Sequence, residues 1–192
     1  MKKIMMIAAM MLLSVGAFAQ NEVGQITLQP KVGANLSTIT GDGDQKMKFG
    51  LLAGVEAEYG LAENFGLAIG ALYSMEGCRY TDYLGTDKSL NFNLDYINIP
   101  IMANYYLAPG FAIKAGVQPA FNVRHKASYD GDSADLDGIQ SFNFSVPVGL
   151  SYQISDFVID ARYNIGITKL VKDADQGRNS TISLTIGYKF AL

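Results

Sequence analysis

Tryptophan is absent from this 192-residue chain, and cysteine and histidine occur once each, as Cys78 and His125. One cysteine cannot close an internal disulfide, whatever the compartment. One cysteine with one histidine cannot assemble a zinc site. Charged residues make up only 17% of the chain, its formal charge is −3, and the basic residues are scattered. That excludes the basic stripe of a nucleic-acid-binding surface. Past the first twenty residues no long uninterrupted apolar run occurs, which excludes a helical membrane protein. No cofactor and no metal site are expected.

What is present begins with an export signal. Lys2 and Lys3 form a short positive region, Ile4 to Val15 an apolar stretch, and Ala17-Phe18-Ala19 a small-x-small cleavage site before Gln20. The stretch is too short for a comfortable transmembrane helix. Residue 20 is Gln rather than Cys, which excludes a lipoprotein. The expected division is a signal peptide over 1–19 and one mature domain over 20–192.

The mature sequence alternates apolar and polar residues in about eight runs. The last is the clearest: Ile182, Leu184, Ile186, Tyr188, Phe190 and Leu192 are apolar, and the residues between them are small or polar. The same pattern covers Thr27 to Ser37, Lys48 to Tyr59, Phe65 to Cys78, Asp95 to Leu107, Phe111 to Arg124, Ser141 to Ile154 and Phe157 to Leu170. Period two means a strand with one apolar and one polar face. The runs are roughly 11–14 residues long, whereas soluble strands average about 5–6 and a tilted bilayer-crossing strand needs about 9–11. No second layer exists to cover the apolar faces, so lipid is their expected solvent. The predicted fold is all-β: an eight-stranded antiparallel up-and-down transmembrane barrel, closed so that no edge meets lipid.

Connections and aromatics agree with that reading. Short turns at Gly60 to Asn64, Ala108-Pro109-Gly110 and Ser155-Asp156 alternate with longer polar loops over 39–46, 79–91, 126–139 and 171–177. Such alternation is expected of periplasmic turns and outer loops. Tyr59, Phe65, Tyr105, Phe111, Tyr152, Phe157, Tyr188 and Phe190 all fall on the apolar face beside a short turn or the C-terminus. They are expected to form a girdle at the periplasmic interface.

The opposite face carries the charges. Lys31, Glu56, Glu58, Glu76, Lys114, Arg124, Asp160, Arg162 and Lys189 are expected to share a narrow lumen, interleaved with many glycines. An eight-stranded barrel has an interior that side chains can fill, and buried charges must pair. A lumen plugged by ion pairs follows, with a narrow channel for small solutes or ions as the alternative. Pro100, Pro119 and Pro147 inside strands predict bulges or weak ladder points. A soluble lipocalin-type barrel would need the reverse polarity.

Two further constellations have weak chemistry. His125 with Ser128 and Asp130 could form a lipid hydrolase triad on the outer face, although a solvated rim histidine is the plainer reading. The acidic loop Asp130-Gly131-Asp132-Ser133-Ala134-Asp135-Leu136-Asp137-Gly138 has calcium-loop composition, but Ala134 stands where an oxygen ligand is needed. Gly41-Asp42-Gly43-Asp44 reads as a turn.

The segments Val32-Gly33-Ala34-Asn35-Leu36-Ser37, Asp95-Tyr96-Ile97-Asn98-Ile99-Pro100, Ala161-Arg162-Tyr163-Asn164-Ile165-Gly166-Ile167 and Gly187-Tyr188-Lys189-Phe190 resemble the porin-family outer-membrane β-barrel domain, alongside the small OmpA/OmpX-like barrels of Gram-negative bacteria. The chain departs from that pattern at Asn98, where an acid is expected, and at Ala191-Leu192, which follow the terminal Phe190. The resemblance implies an integral outer-membrane protein. The sealed lumen and the two longest loops lead to a structural or surface-interaction role, not an enzyme, with outer-membrane lipid and lipopolysaccharide as the expected partners. Tyr188-x-Phe190 is similar to the C-terminal signal read by the barrel assembly machinery. The second and third outer loops, the longest, are the expected contact surface for an outside partner.

Overall fold

Alternating sequence becomes a ladder wherever neighbouring runs bury the same face, because a one-residue slip would turn every side chain to the wrong side. The computed structural model describes residues 23–40, 45–80, 90–129, 132–135, 140–169 and 177–192. The expected export signal and most of the expected outer loops, including Asp130 and the expected Gly41–Asp44 turn, lie outside the described residues.

The strands are β1 (Ile26–Thr40), β2 (Gln45–Ala62), β3 (Phe65–Tyr80), β4 (Leu90–Asn98), β5 (Ile101–Ala108), β6 (Phe111–Tyr129), β7 (Asp132–Asp135), β8 (Phe142–Ile154), β9 (Phe157–Lys169), β10 (Arg178–Tyr188) and β11 (Phe190–Ala191). Every pairing is antiparallel, and β4 and β5 both bridge β3 and β6, while β7 pairs only with β6. The ring closes where β1 meets β10, with Asn35 opposite Ser183. β4 and β5 form one stave, as do β10 and β11, so the barrel has eight staves. No helix among the described residues is long and apolar enough to cross a membrane.

The β4–β5 break falls at Ile99-Pro100, where proline has no N–H to donate. The carbonyl of Pro100 still accepts the Gly70 N–H at 2.9 Å, which keeps the stave in line. β7 departs from a plain loop. Its residues Asp132–Asp135 pair with Lys126 to Tyr129, prolonging the long β6 ladder. That extended geometry is unlike the curved cradle of a calcium loop.

Polarity is reversed relative to a soluble fold. Leu184 is 58% exposed on the outside, as are Val32, Ile69 and Ile165 along neighbouring staves, whereas Lys31, Glu56, Asp160 and Arg162 are buried within. The interior also takes apolar side chains: Leu52, Leu72, Leu94, Tyr96 and Met102 are buried there. Leu94, Tyr96 and Ala120 pack together as a small apolar layer.

Candidate functional site

The lumen charges meet because register, rather than sequence spacing, sets their heights. Lys31 on β1 sits opposite Gly54 on β2 and Gly187 on β10. Glu56 on β2 sits opposite Gly70 on β3. Arg162 on β9 and Lys114 on β6 both sit opposite Gly149 on β8. Each long charged side chain therefore lies over a residue with no side chain. A Cβ at Gly70 would come within 2.5 Å of the Glu56 Cγ, and one at Gly149 within 2.9 Å of the Arg162 Cγ. The glycines are the seats of the cluster. Alternation places them on the inward face, and the register sets their pairing with the charges.

Five of these groups form one network. Lys31 Nζ contacts both Glu56 and, at 3.4 Å, Asp160. Arg162 Nη2 lies 2.7 Å from Glu56 and 2.6 Å from Asp160, and Arg162 Nε donates to the second Asp160 oxygen at 2.9 Å. Lys114 Nζ reaches Asp160 at 2.8 Å. The Asp160 carboxylate, 1% exposed, thus collects all three cations. Charge-assisted bonds of this kind are the strong ones. The members come from β1, β2, β6 and β9, so the network crosses the lumen from wall to wall.

Toward the short turns lies a second pair. Lys189 Nζ is 3.1 Å from Glu58 and also 3.1 Å from the Tyr106 hydroxyl, which donates to Glu58 at 2.7 Å. Toward the other end, the Glu76 carboxylate is held by neutral donors, while the Lys48 ammonium donates to the Glu76 backbone carbonyl at 2.8 Å. Ser74 donates to the carboxylate at 2.9 Å, Asn98 at 3.2 Å and Thr181 at 3.3 Å, and Asn179 donates to it as well. Asn98, which replaces an acid in the resembled pattern, thus serves as a neutral donor to the acid that remains. Between the five-membered network and the Glu76 shell is a cavity of about 20 Å³ lined by Lys31, Ser74, Asn98, Gln118, Arg162 and Thr181, among others. That is room for about one water molecule.

Arg124 is not with them. The β4–β6 register slips between Asp95, opposite Arg124, and Tyr96, opposite Asn122. One extra residue in β6 turns Arg124 to the outer side of the wall. There its side chain is 51% exposed and pairs with Asp95 at 3.6 Å. Asp95 also accepts the hydroxyl of outward-facing Tyr73 at 2.6 Å. The extra residue is the physical reason that strict alternation misplaces this one charge.

The aromatic residues sit at the short-turn end. Phe65 faces Tyr105 across β3 and β5, Phe111 faces Tyr152 across β6 and β8, and Phe157 faces Tyr188 across β9 and β10. The Phe157 and Tyr188 rings are edge-on at 5.2 Å, and Tyr188 and Phe190 lie 4.6 Å apart. Tyr59 is exposed on the outside of β2 at the same end. His125 Nδ1 is 3.0 Å from the Asn122 side-chain oxygen, a neutral partner. Cys78 is buried as a free thiol.

A family model described as the outer membrane protein beta-barrel domain matches residues 18–172. No curated protein matches the chain. Among solved structures, the attachment invasion locus protein Ail of Yersinia pestis is similar, at 18% identity and a TM-score of 0.55, over 88% of this chain and 100% of that one. Neisserial surface protein A is similar at 18% identity and a TM-score of 0.54, over 86% of this chain and 97% of that one. At such identities the likeness is one of fold.

Proposed function

This chain belongs to the outer membrane protein β-barrel domain family, and from that premise we propose that it is a non-enzymatic structural or surface-interaction barrel whose lumen is closed by ion pairs. It resides in the outer membrane. One observation carries the closed-lumen reading: three cations and two carboxylates from four strands interlock across the axis, each within contact of a partner of opposite sign. Opening such a plug leaves charges desolvated and unpaired, which costs several kcal/mol.

Residues 1–19 are removed on export, and 20–192 form the mature barrel. Tyr188 and Phe190 present the closing stave to the barrel assembly machinery. Outer-membrane lipid and lipopolysaccharide surround the apolar band, and the loops over 79–91 and 126–139 meet partners outside the cell. Eight of the nine charges named above are proposed as the lumen set and the eight aromatics as the periplasmic girdle, with Arg124, the ninth charge, serving at the outer surface instead. Planar-bilayer recording of pure protein tests the central point. No stable unitary conductance is expected, and large reproducible steps would overturn the closed lumen.

A narrow channel is the second reading, and the cavity beside Arg162 favours it. On that reading the wild-type protein conducts and Glu76→Gln changes the single-channel conductance. A closed lumen instead gives silent traces for both.

A further inference from the structure

Arg162 has more donors than its ion pairs use. A guanidinium carries five N–H groups in a fixed fork. Nε donates to Asp160, and Nη2 contacts both Glu56 and Asp160. Nη1, with two N–H groups, is buried and has no hydrogen-bond partner among the described residues. The whole side chain is only 5% exposed, so bulk water does not serve it. Two residues along β9, Asn164 has the complementary lack: its side-chain oxygen is buried with no donor among the described residues. A buried polar group left unmade bears its full desolvation penalty. Two such groups of opposite kind on one strand face call for a mediator.

Both side chains line the cavity of about 20 Å³ between the five-membered network and the Glu76 shell. One water molecule needs roughly 10–15 Å³ of such space and two to four polar partners. Thr181 lines the same cavity, stands opposite Asn164 across the β9–β10 ladder and donates its hydroxyl to Glu76. Its oxygen is then free to accept. The two sides of the cavity are electrically unlike. The network holds three cations and two carboxylates, whereas the far side holds the Glu76 carboxylate among neutral donors.

These groups discriminate among small occupants. An anion would suit Arg162 Nη1 but would meet the Asn164 oxygen. A cation would suit that oxygen but would stand beside Lys31 and Arg162, which also line the space. Water alone offers lone pairs and protons together. Its oxygen answers Nη1, and its two hydrogens answer Asn164 Oδ1 and Thr181 Oγ1. The volume admits one such molecule and no file of them.

We propose that this cavity is a binding site for one water molecule, which accepts from Arg162 Nη1 and donates to Asn164 Oδ1 and the Thr181 hydroxyl oxygen. The water joins the five-membered network to the Glu76 shell, so that the two lumen charge groups form one hydrogen-bonded plug. The site rests on the packing of the network, and its test is separate from the bilayer recording: a silent barrel can lack this water, and a conducting barrel can hold it. Crystals of the detergent-extracted folded protein, diffracting well enough to show ordered water, test it. Wild type should show one isolated density peak roughly 2.7–3.2 Å from both Arg162 Nη1 and Asn164 Oδ1. Wild-type crystals soaked in sodium bromide should show no anomalous peak there. Ser183→Val puts two methyl groups into the cavity wall and should remove the water peak, with folding of the variant first checked by a heat-modifiable gel shift. If that variant does not fold, the two wild-type results decide. No density in the wild-type cavity, a bromide peak within it, or an unchanged water peak in folded Ser183→Val would each overturn the site.

Discussion

Three cations, Lys31, Lys114 and Arg162, share the two carboxylates of Glu56 and Asp160, so removing either carboxylate leaves still more buried positive charge without an answer. Breaking a buried pair from one side costs about 3–5 kcal/mol. Glu56→Gln is therefore expected to lower stability by about that amount in reversible unfolding from lipid vesicles. Asp95 pairs with Arg124, whose side chain is half exposed and therefore screened, and it also feels the Lys48 ammonium. Asp95→Asn should accordingly cost no more than about 1 kcal/mol in the same assay. The glycines belong to the same scale. Gly149→Val places branched carbons where a Cβ already falls 2.5 Å from the Ala161 carbonyl and 2.9 Å from Arg162. The neighbouring backbone cannot move aside as a side-chain tip can, so the fraction of heat-modifiable folded barrel should drop.

Each stave is readable as a two-faced ribbon, and the two faces answer to different solvents. Leu184 lies at mid-height on β10 and faces out, while Ser183 and Thr185 beside it are buried toward the lumen. Leu184→Lys should cost about 2–4 kcal/mol, the penalty for a cation on the lipid face near the midplane. The same substitution at Phe190, on the rim, should cost about 1 kcal/mol or less. Urea titration of both variants in vesicles checks the gradient, and equal costs would contradict the assigned height. Departures from regular ribbon form are local and have causes. Proline interrupts the fourth stave at Pro100, an extra residue turns Arg124 outward, and Lys189 separates β10 from β11 while keeping its ammonium beside Glu58.

For the whole molecule, closure is the decisive event. β10 supplies the seam with β1 over a register running from Lys31–Gly187 to Thr40–Arg178. Without it both edges would expose unpaired backbone groups to lipid, each costing several kcal/mol. Truncation after Asn179 should therefore abolish the heat-modifiable species entirely rather than weaken it. Closure also brings β1 and β2 to the same lumen section as β9, which creates the network that the proposed function depends on. Glu56 and Arg162 stand far apart in sequence and touch only because the sheet curls through a full turn.

Much of this was legible in the chain, since period-two alternation over membrane-length runs sets which side of each strand is oily. Run length and the number of runs then give the number of staves. Shear was not legible, because alternation is unchanged when one whole strand slides by two residues against its neighbour. Only the closed structure therefore decided that Asp160 gathers three cations, that glycines lie beneath the long charges, and that Glu76 is held by neutral donors. Local slips were equally hidden: one inserted residue in β6 moved Arg124 through the wall, and no pattern in its own strand marks the spot. Faces are a property of each strand alone, whereas partners are a property of the ring.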